Sequence, residues 1–175
     1  MSRLEVEVKL RVPCDELRRL LTRLSGRVNV TDPVEERDVY YSHPCRDFSK
    51  SDEALRVRYI NGSPCCLTYK GPRQGSQYKS RTEVNVPLSS DPEPILRALG
   101  FTRYVEVVKV RRYIELEKAE VTLDEVEGLG CFVEVEAKDG RDVSVTEALR
   151  ELQIEGEVVT ETYAEMMARR RGVRA

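Results

Sequence analysis

Charged side chains recur at every second position in several separate stretches of this sequence. Near the N-terminus Glu5, Glu7, Lys9 and Arg11 alternate with apolar residues. Because side chains two residues apart in a β-strand point to the same face, such a stretch predicts a strand with one apolar and one charged face. The pattern returns in residues Arg56 and Arg58, Lys70, Arg81 and Glu83, Lys109 and Arg111, Thr122 and Asp124, and Glu134 and Glu136.

This mixture of side chains suits one kind of ligand. Arginine and lysine bind phosphate oxygens, and carboxylates bind hard divalent cations, so the charged faces together fit a phosphate chain with its metal. In an open sheet these faces would only meet solvent. In a sheet that closes on itself they would line the interior, where buried charges must be paired, hydrated or satisfied by an ionic ligand.

The elements that would carry these faces are strands with few long connections. Asn61-Gly62 predicts a tight hairpin turn between two of the strands. We therefore expect an α+β fold in which a closed or nearly closed antiparallel barrel is flanked by helices. Strands are predicted at 3–12, 28–30, 36–42, 54–60, 64–70, 78–86, 103–117, 119–126 and 131–138, and helices at 15–25, 92–100, 146–153 and 160–171.

Composition narrows the class of protein. The length predicts one domain spanning 1–175, and the net charge of -2, from 29 basic and 31 acidic residues, argues against a nucleic-acid-binding protein. No stretch approaches the roughly 18 apolar residues that a membrane span needs. The first residues form a patterned strand with no signal-peptide core, so we expect a cytoplasmic protein without a membrane partner.

The cysteines and the single histidine predict no zinc site, because they lack paired ligand spacing. We expect the cysteines to be small buried apolar residues, although one of them could pair with Cys45. The cysteines are Cys14, Cys45, Cys65, Cys66 and Cys131, and the histidine is His43.

Taken in order, these motifs resemble the CYTH superfamily of triphosphate tunnel metalloenzymes. Glu5-x-Glu7-x-Lys9 is similar to the family's ExExK signature. The segments ALRVRY, LTYKGP, SRTEVNV and VKVRR follow in sequence. LDEVEGLGCFVEVE is similar to the class IV adenylyl cyclase branch, and the resemblance extends over residues 3–167, including the late ETYAEMM around Tyr163. Asn85 departs from the acidic alternation that many relatives continue after Glu83.

The resemblance implies an eight-stranded antiparallel tunnel with a charged lumen that uses Mg²⁺ or Mn²⁺. It assigns metal binding to Glu5, Glu7, Glu134 and Glu136, and phosphate binding to Arg56, Arg58, Lys70, Arg81, Lys109 and Arg111. It also implies catalytic roles for Lys9, Asp124 and Glu134. Asp38, Tyr40 and Tyr41 resemble a position near the tunnel, where we interpret the tyrosines as packing residues.

The expected function is that of a metal-dependent enzyme acting on a small-molecule triphosphate, as a monomer or homodimer. It would either cyclise ATP, releasing pyrophosphate, or hydrolyse thiamine triphosphate, tripolyphosphate or a nucleoside triphosphate. One alternative is a non-catalytic module that binds polyphosphate or a nucleotide. Another, an RNA-binding barrel, would need exposed aromatic residues among the basic ones, and the few aromatics here mostly share the apolar faces.

Overall fold

The computed structural model describes residues 2–73 and 79–172, with side chains for 6–73 and 81–172. Within these residues it contains nine strands and four helices. The strands are β1 Ser2–Val12, β2 Val34–Ser42, β3 Ala54–Ile60, β4 Ser63–Lys70, β5 Lys79–Pro87, β6 Thr102–Glu115, β7 Ala119–Val126, β8 Gly130–Ala137 and β9 Glu157–Val158. The helices are α1 Cys14–Leu24, α2 Glu93–Ala98, α3 Asp142–Glu151 and α4 Tyr163–Arg171.

The strands form one antiparallel sheet in the order β5-β4-β3-β2-β6-β7-β8-β1-β9. β1 is long enough to pair twice, with β8 through residues 7–12 and with β5 through residues 2–7. The α+β class and the antiparallel sheet are therefore confirmed. The described sheet has nine strands rather than eight, because residues 157 and 158 add a short strand beside β1.

The hairpin predicted from Asn61-Gly62 joins β3 to β4. Both residues have positive φ, 48° for Asn61 and 82° for Gly62, as a two-residue hairpin turn with matching strand twist requires. The turn fixes the register in which Arg56 faces Thr68 across the two strands. The side chains predicted on the charged face are thereby kept on one face.

The outer side of the sheet is covered by α1 and α3, which pack on β1, β7 and β8. Leu17, Leu20 and Leu24 of α1 are buried against Val8 and Val133 of the sheet. A disulfide between Cys14 and Cys131 also links the start of α1 to β8.

The expectation that every cysteine is a small apolar residue is therefore wrong for this pair, which meets across a separation of 117 residues. Cys45, the suggested partner, is exposed and free.

Helix α4 differs from α1 and α3, because it packs on the opposite face of the sheet. Val107 lies directly opposite Asp38 and so shares the face that carries the charged side chains. Val107 packs in a cluster with Tyr163, Met166 and Phe132, which places α4 against the inner face. The inner face is thus apolar beside α4 and charged beyond it.

Smaller differences concern element boundaries. Residues 28–30 form only an isolated bridge between Val30 and Ile114, and residues 31–33 have no regular structure before β2. α3 begins at Asp142, four residues before the predicted start of that helix. No helix in the described part of the chain is long and apolar enough to cross a membrane.

Candidate functional site

A cavity of about 700 Å³ lies against the charged inner face. Ten of the predicted site residues line it: Glu7, Lys9, Arg56, Arg58, Lys70, Arg81, Lys109, Arg111, Glu134 and Glu136. Asp124 lies directly behind the lining, fully buried and bonded to Arg111. The side chain of Glu5 lies outside the described residues. Strands distant in sequence therefore bring the predicted side chains into one space.

Strand register explains how the side chains converge. Lys9 of β1 and Thr122 of β7 lie directly opposite Glu134 of β8, one on each side. Arg111 of β6 lies opposite Asp124 of β7. Because directly opposed residues share a face, four neighbouring strands present these groups together.

The first group of ions surrounds Arg111. Its Nε lies 2.6 Å from Asp124 Oδ1, and its Nη2 lies 2.6 Å from Glu134 Oε2. The other oxygen of Glu134 lies 3.2 Å from Lys9 Nζ. Burial alone would raise the pKa of Glu134, but the charges of Lys9 and Arg111 hold that pKa well below its ordinary value. Glu134 is thus a carboxylate ion held between two cations.

The second group surrounds two carboxylates of β2. Asp38 accepts a two-pronged contact from Arg58, with Nε 2.7 Å from Oδ1 and Nη2 2.8 Å from Oδ2, and a further bond of 2.8 Å from Lys109 Nζ. Glu36 Oε2 lies 2.9 Å from Lys109 Nζ and 3.1 Å from Arg58 Nη1. Tyr113 donates a hydrogen bond to Glu36 Oε1. Two predicted phosphate-binding cations are therefore held in fixed positions.

These cations determine the ionisation of both acids. Burial would raise the pKa of Glu36, but Arg111, Lys109 and Arg58 outweigh it and lower the pKa from 4.5 to about 2. The pKa of Asp38 is likewise well below its ordinary value, because Lys109, Arg56 and Arg58 outweigh burial. Both side chains are therefore negative at neutral pH.

The third group lies on β3, β4 and β5. Lys70 Nζ is 2.8 Å from Glu83 Oε2, and Arg56 Nη2 is 3.2 Å from Thr68 Oγ1. Thr68 in turn donates to Asn85 Oδ1 over 3.1 Å. Asn85 stands where many relatives have an acid. Its neutral amide oxygen accepts the hydrogen bond from Thr68, and Thr68 in turn accepts one from Arg56.

Whether these residues suit a divalent cation depends on their donor atoms. Glu7, Glu134 and Glu136 offer carboxylate oxygens to the cavity, which are the ligands Mg²⁺ and Mn²⁺ prefer. Thr122 Oγ1, opposite Glu134, is buried without a hydrogen-bond partner. Among residues 6–73 and 81–172, however, no three such side chains converge as a ready metal cluster. The carboxylate oxygens of the lining fit a divalent cation. To bind it, Glu134 would have to give up its contacts with Lys9 and Arg111.

The start of α4 and the loop between β2 and β3 both contribute to the lining of the cavity. Arg73 joins these two segments, with Nη2 2.6 Å from Asp52 Oδ1 and 2.7 Å from Glu165 Oε1. Both acids also line the cavity. The segment after β4 is thereby tied to both of these lining segments.

Sequence reasoning missed several residues of the site. Glu36 was not singled out, although Glu36, Asp38 and Tyr40 alternate within β2 as the other charged stretches do. Glu120, unlike Glu36, lines the cavity, and it lies at the start of the Glu120-x-Thr122-x-Asp124 alternation. Tyr163 lies in the ETYAEMM segment included in the family resemblance, but its place in the site was not predicted, because it depends on how α4 packs.

Comparison with known proteins connects this arrangement to a family. The family model described as the CYTH domain matches residues 3–163. A Methanocaldococcus jannaschii protein named "Putative adenylate cyclase" is 31% identical over 173 residues, covering 92% of this chain and 98% of that protein.

Solved structures share the fold. The PH1819 protein of Pyrococcus horikoshii has a TM-score of 0.80 and 37% identity, covering 95% of this chain and 99% of that one. A Hippeastrum protein named "Putative adenylyl cyclase HpAC1" has a TM-score of 0.67, covering 100% of this chain and 98% of its own. At 18% identity, the second likeness concerns the fold alone.

Proposed function

Because the chain belongs to the CYTH family, we propose that it is a divalent-metal-dependent enzyme acting on a triphosphate bound in the cavity. A single domain would carry this activity. The relative from Methanocaldococcus favours cyclisation of ATP to cyclic AMP and pyrophosphate. The Hippeastrum protein, for which a dominant triphosphatase activity is stated, keeps hydrolysis of a triphosphate as the second candidate reaction.

The observation that carries this proposal is the convergence of basic and acidic side chains in one cavity. Six predicted phosphate-binding residues line a space of about 700 Å³, within the range of small-molecule sites. Carboxylates suited to a hard cation line the same space. A chain of phosphates carrying a metal ion offers both kinds of charge that this lining would bind.

The strand pairing supports a tunnel around this cavity. β5 is one edge of the strand order, and it also pairs with β1 near the other edge, from Ser2 opposite Val84 to Glu7 opposite Lys79. We propose that β1 to β8 thereby form a closed barrel, with the short β9 added outside the ring. A closed wall would exclude bulk water and strengthen the electrostatic interactions within it.

Each group of ions has a distinct role in this proposal. Arg58 and Lys109, oriented by Asp38 and Glu36, bind non-reacting phosphate oxygens. Arg56, Lys70 and Arg81 bind further oxygens along the wall formed by β3 to β5. Charge on the transferred phosphoryl group is neutralised by these fixed cations, which need little rearrangement as the reaction proceeds.

The acids on β1 and β8 serve the metal. Glu7, Glu134 and Glu136, with Glu5 proposed from the sequence, would hold Mg²⁺ or Mn²⁺, which when bound supplies positive charge to the phosphate oxygens. Lys9 and Arg111 would then leave Glu134 and bind phosphate. Asp124 holds Arg111 from behind and orients it towards the cavity.

The two candidate reactions differ in the attacking oxygen. In the cyclase reaction the ribose 3′-hydroxyl attacks the α-phosphorus, its proton is lost, and pyrophosphate leaves. In the hydrolase reaction water attacks the terminal phosphorus, and the diphosphate part of the substrate leaves. Neither needs a covalent intermediate with the protein, because the side chains act by positioning and by charge.

A direct test compares ATP, thiamine triphosphate and tripolyphosphate with Mg²⁺ or Mn²⁺, identifying products by chromatography. Turnover should require the metal, so a chelator should abolish it and added Mg²⁺ or Mn²⁺ should restore it. Cyclic AMP would identify the cyclase, whereas orthophosphate would identify the hydrolase. Tight binding of all three without turnover would favour the non-catalytic binding module.

The variant Glu134→Gln tests the role of the acid. It preserves shape but removes the charge proposed to hold the cation, so kcat should fall by about 100-fold or more, with weaker Mn²⁺ binding. Glu125→Gln is the matched control, because Glu125 lies on neighbouring β7 as a surface residue outside the cavity lining. Full turnover by Glu134→Gln would refute the metal assignment.

A further inference from the structure

Tyr163 is the first residue of α4, at the boundary between the charged cavity and the inner apolar cluster. It is buried, and its ring packs edge-on against Phe132 with centroids 5.0 Å apart. The ring also lines the cavity. One side chain thus belongs both to the helix packing and to the wall of the site.

The hydroxyl of Tyr163 reaches a predicted catalytic residue. It donates a hydrogen bond of 2.8 Å to Asp124 Oδ2, while Arg111 Nε contacts the other oxygen of Asp124. Burial and the negative charges of Glu134 and Asp124 raise the pKa of Tyr163 well above its ordinary value. The hydroxyl therefore stays protonated and remains a donor at neutral pH.

The ring of Tyr163 holds a second site residue. Lys9 Nζ lies 4.0 Å from the ring centroid, within the range of a cation–π contact. The same ammonium donates to the carbonyl oxygen of Glu161 over 3.2 Å and lies 3.2 Å from Glu134 Oε1. Glu161, just before α4, and Tyr163, its first residue, thus supply two of the contacts that fix Lys9.

The start of α4 is itself well fixed. Thr162 and Glu165 form a reciprocal capping box at the N-terminus of the helix. Arg73 contacts Glu165 as well, which ties this turn to the segment after β4. Tyr163 is therefore held on a rigid support rather than on a free chain end.

We infer that Tyr163 is a positioning residue, which orients Asp124 through its hydroxyl and Lys9 through its ring. The inference rests on the proposed function and extends it, because it assigns a residue of α4 a role in positioning the site residues. Through Asp124, the hydroxyl sets the direction of Arg111. Through the cation–π contact, the ring holds the Lys9 ammonium at the cavity wall.

The test compares two identical substitutions. Tyr163→Phe removes the hydroxyl and keeps the ring. Tyr59→Phe removes a similar hydrogen bond, from Tyr59 to Asp91 over 2.9 Å, in a buried cluster outside the cavity lining. Tyr163→Phe should lose more stability in urea unfolding than Tyr59→Phe, because Asp124 is buried whereas Asp91 is exposed and can bind water instead.

Only Tyr163→Phe should lower kcat, by about 10- to 100-fold with KM changed less than about threefold, because the lost bond to a charged group acts on the transition state. Tyr163→Leu, which also removes the ring, should lower kcat further. Met167→Leu controls for α4 packing, since Met167 is buried in the inner apolar cluster and outside the cavity lining. Loss of kcat in both controls would show that Tyr163 is merely structural.

A double-mutant cycle decides whether Tyr163 acts through Asp124. In an Asp124→Asn background, Tyr163→Phe should have little further effect on kcat, whereas independent roles would give additive losses. Wild-type kcat in Tyr163→Phe, or additivity, would overturn the inference and leave the proposed function standing. Absence of any triphosphate turnover by the wild-type protein would instead overturn the proposed function, and the inference with it.

Discussion

Glu36 is a fully buried carboxylate whose charge depends on its basic neighbours. Its pKa of about 2 lies below the ordinary 4.5, so the folded protein binds a proton there less readily than the unfolded chain. The stability from this group is therefore fully present above about pH 4.5. It is lost as the pH falls from there towards about 2.

Replacement of Glu36 by glutamine should expose this dependence. At pH 7, Glu36→Gln leaves Arg58 and Lys109 with less compensating charge, and we expect a loss of about 3 kcal/mol or more in the free energy of unfolding. The difference from wild type should shrink as the pH falls from about 4.5 to 2, where Glu36 is itself neutralised. Urea unfolding between pH 7 and pH 3 measures it.

Glu106→Gln is the control, because Glu106 forms a partly exposed pair with Arg37. It should cost under about 1 kcal/mol at neutral pH. A Glu36→Gln difference that stays constant over the whole range would contradict the pKa assigned to Glu36.

Single residues of the site were partly predictable from the sequence. Alternation placed Arg58, Lys109 and Glu134 on the charged face, because strand geometry alone determines which side a residue occupies. The partners of these residues were not predictable. The contact of Arg58 with Asp38 depends on the pairing of β3 with β2, which the local pattern does not specify.

Among the elements, α4 shows how the site is joined to the rest of the fold. Its capping box was readable as Thr162-x-x-Glu165, but its position against the inner face was not. Val105 and Val107 lie on the same face of β6 as Lys109. The residues on this face are therefore apolar in one part of the strand and charged in the other. Only the packed structure shows where charge gives way to apolar surface.

The contacts of Arg73 predict a local change in α4. Arg73→Gln should release Glu165 and loosen the first turn, so backbone amides of residues 163–168 should exchange hydrogen several-fold to about tenfold faster. Hydrogen exchange followed by mass spectrometry measures this. Arg103→Gln removes another arginine with a carboxylate partner, Glu93, and should leave these amides unchanged. Equal exchange in both variants would show that Arg73 does not hold α4.

The whole molecule should respond to a polyanion as a single unit. A ligand that binds only the folded state, at about 100 times its Kd, adds roughly 2.7 kcal/mol of stability. For a protein of this length that corresponds to about 5–10 °C in Tm. Tripolyphosphate with Mg²⁺ should give such a shift, and chloride at equal ionic strength should not.

Two arginine variants locate the binding that causes this shift. Arg58→Ala should reduce it, because Arg58 lines the cavity. Arg37→Ala should leave it intact, since Arg37 pairs with Glu106 outside the cavity lining. Equal shifts in both variants, or equal shifts with both salts, would exclude a specific anion site in the cavity.

For the whole molecule, the fold class and the antiparallel sheet could be predicted from the number of strands with alternating charged and apolar residues. The short β9 and the Cys14–Cys131 bond did not follow. β9 has only two residues, too few for a recognisable alternation. The cysteines are brought together by helix packing over a long separation, which spacing in the sequence does not reveal.

The bond between Cys14 and Cys131 divides the chain into a closed covalent loop and two tails. β2 to β7 lie inside the loop, whereas β1 precedes it and α3, β9 and α4 follow it. If the two ends were pulled apart in an optical trap, the intact bond would carry the tension past the loop. The stretched oxidised chain would then be shorter than the reduced one by the sequence separation of 117 between the cysteines, roughly 400 Å of contour length. In the oxidised protein the pulling force would thus act on the segments that carry Lys9 and Tyr163, which lie on the tails, and would bypass the strands that hold Arg58 and Lys109.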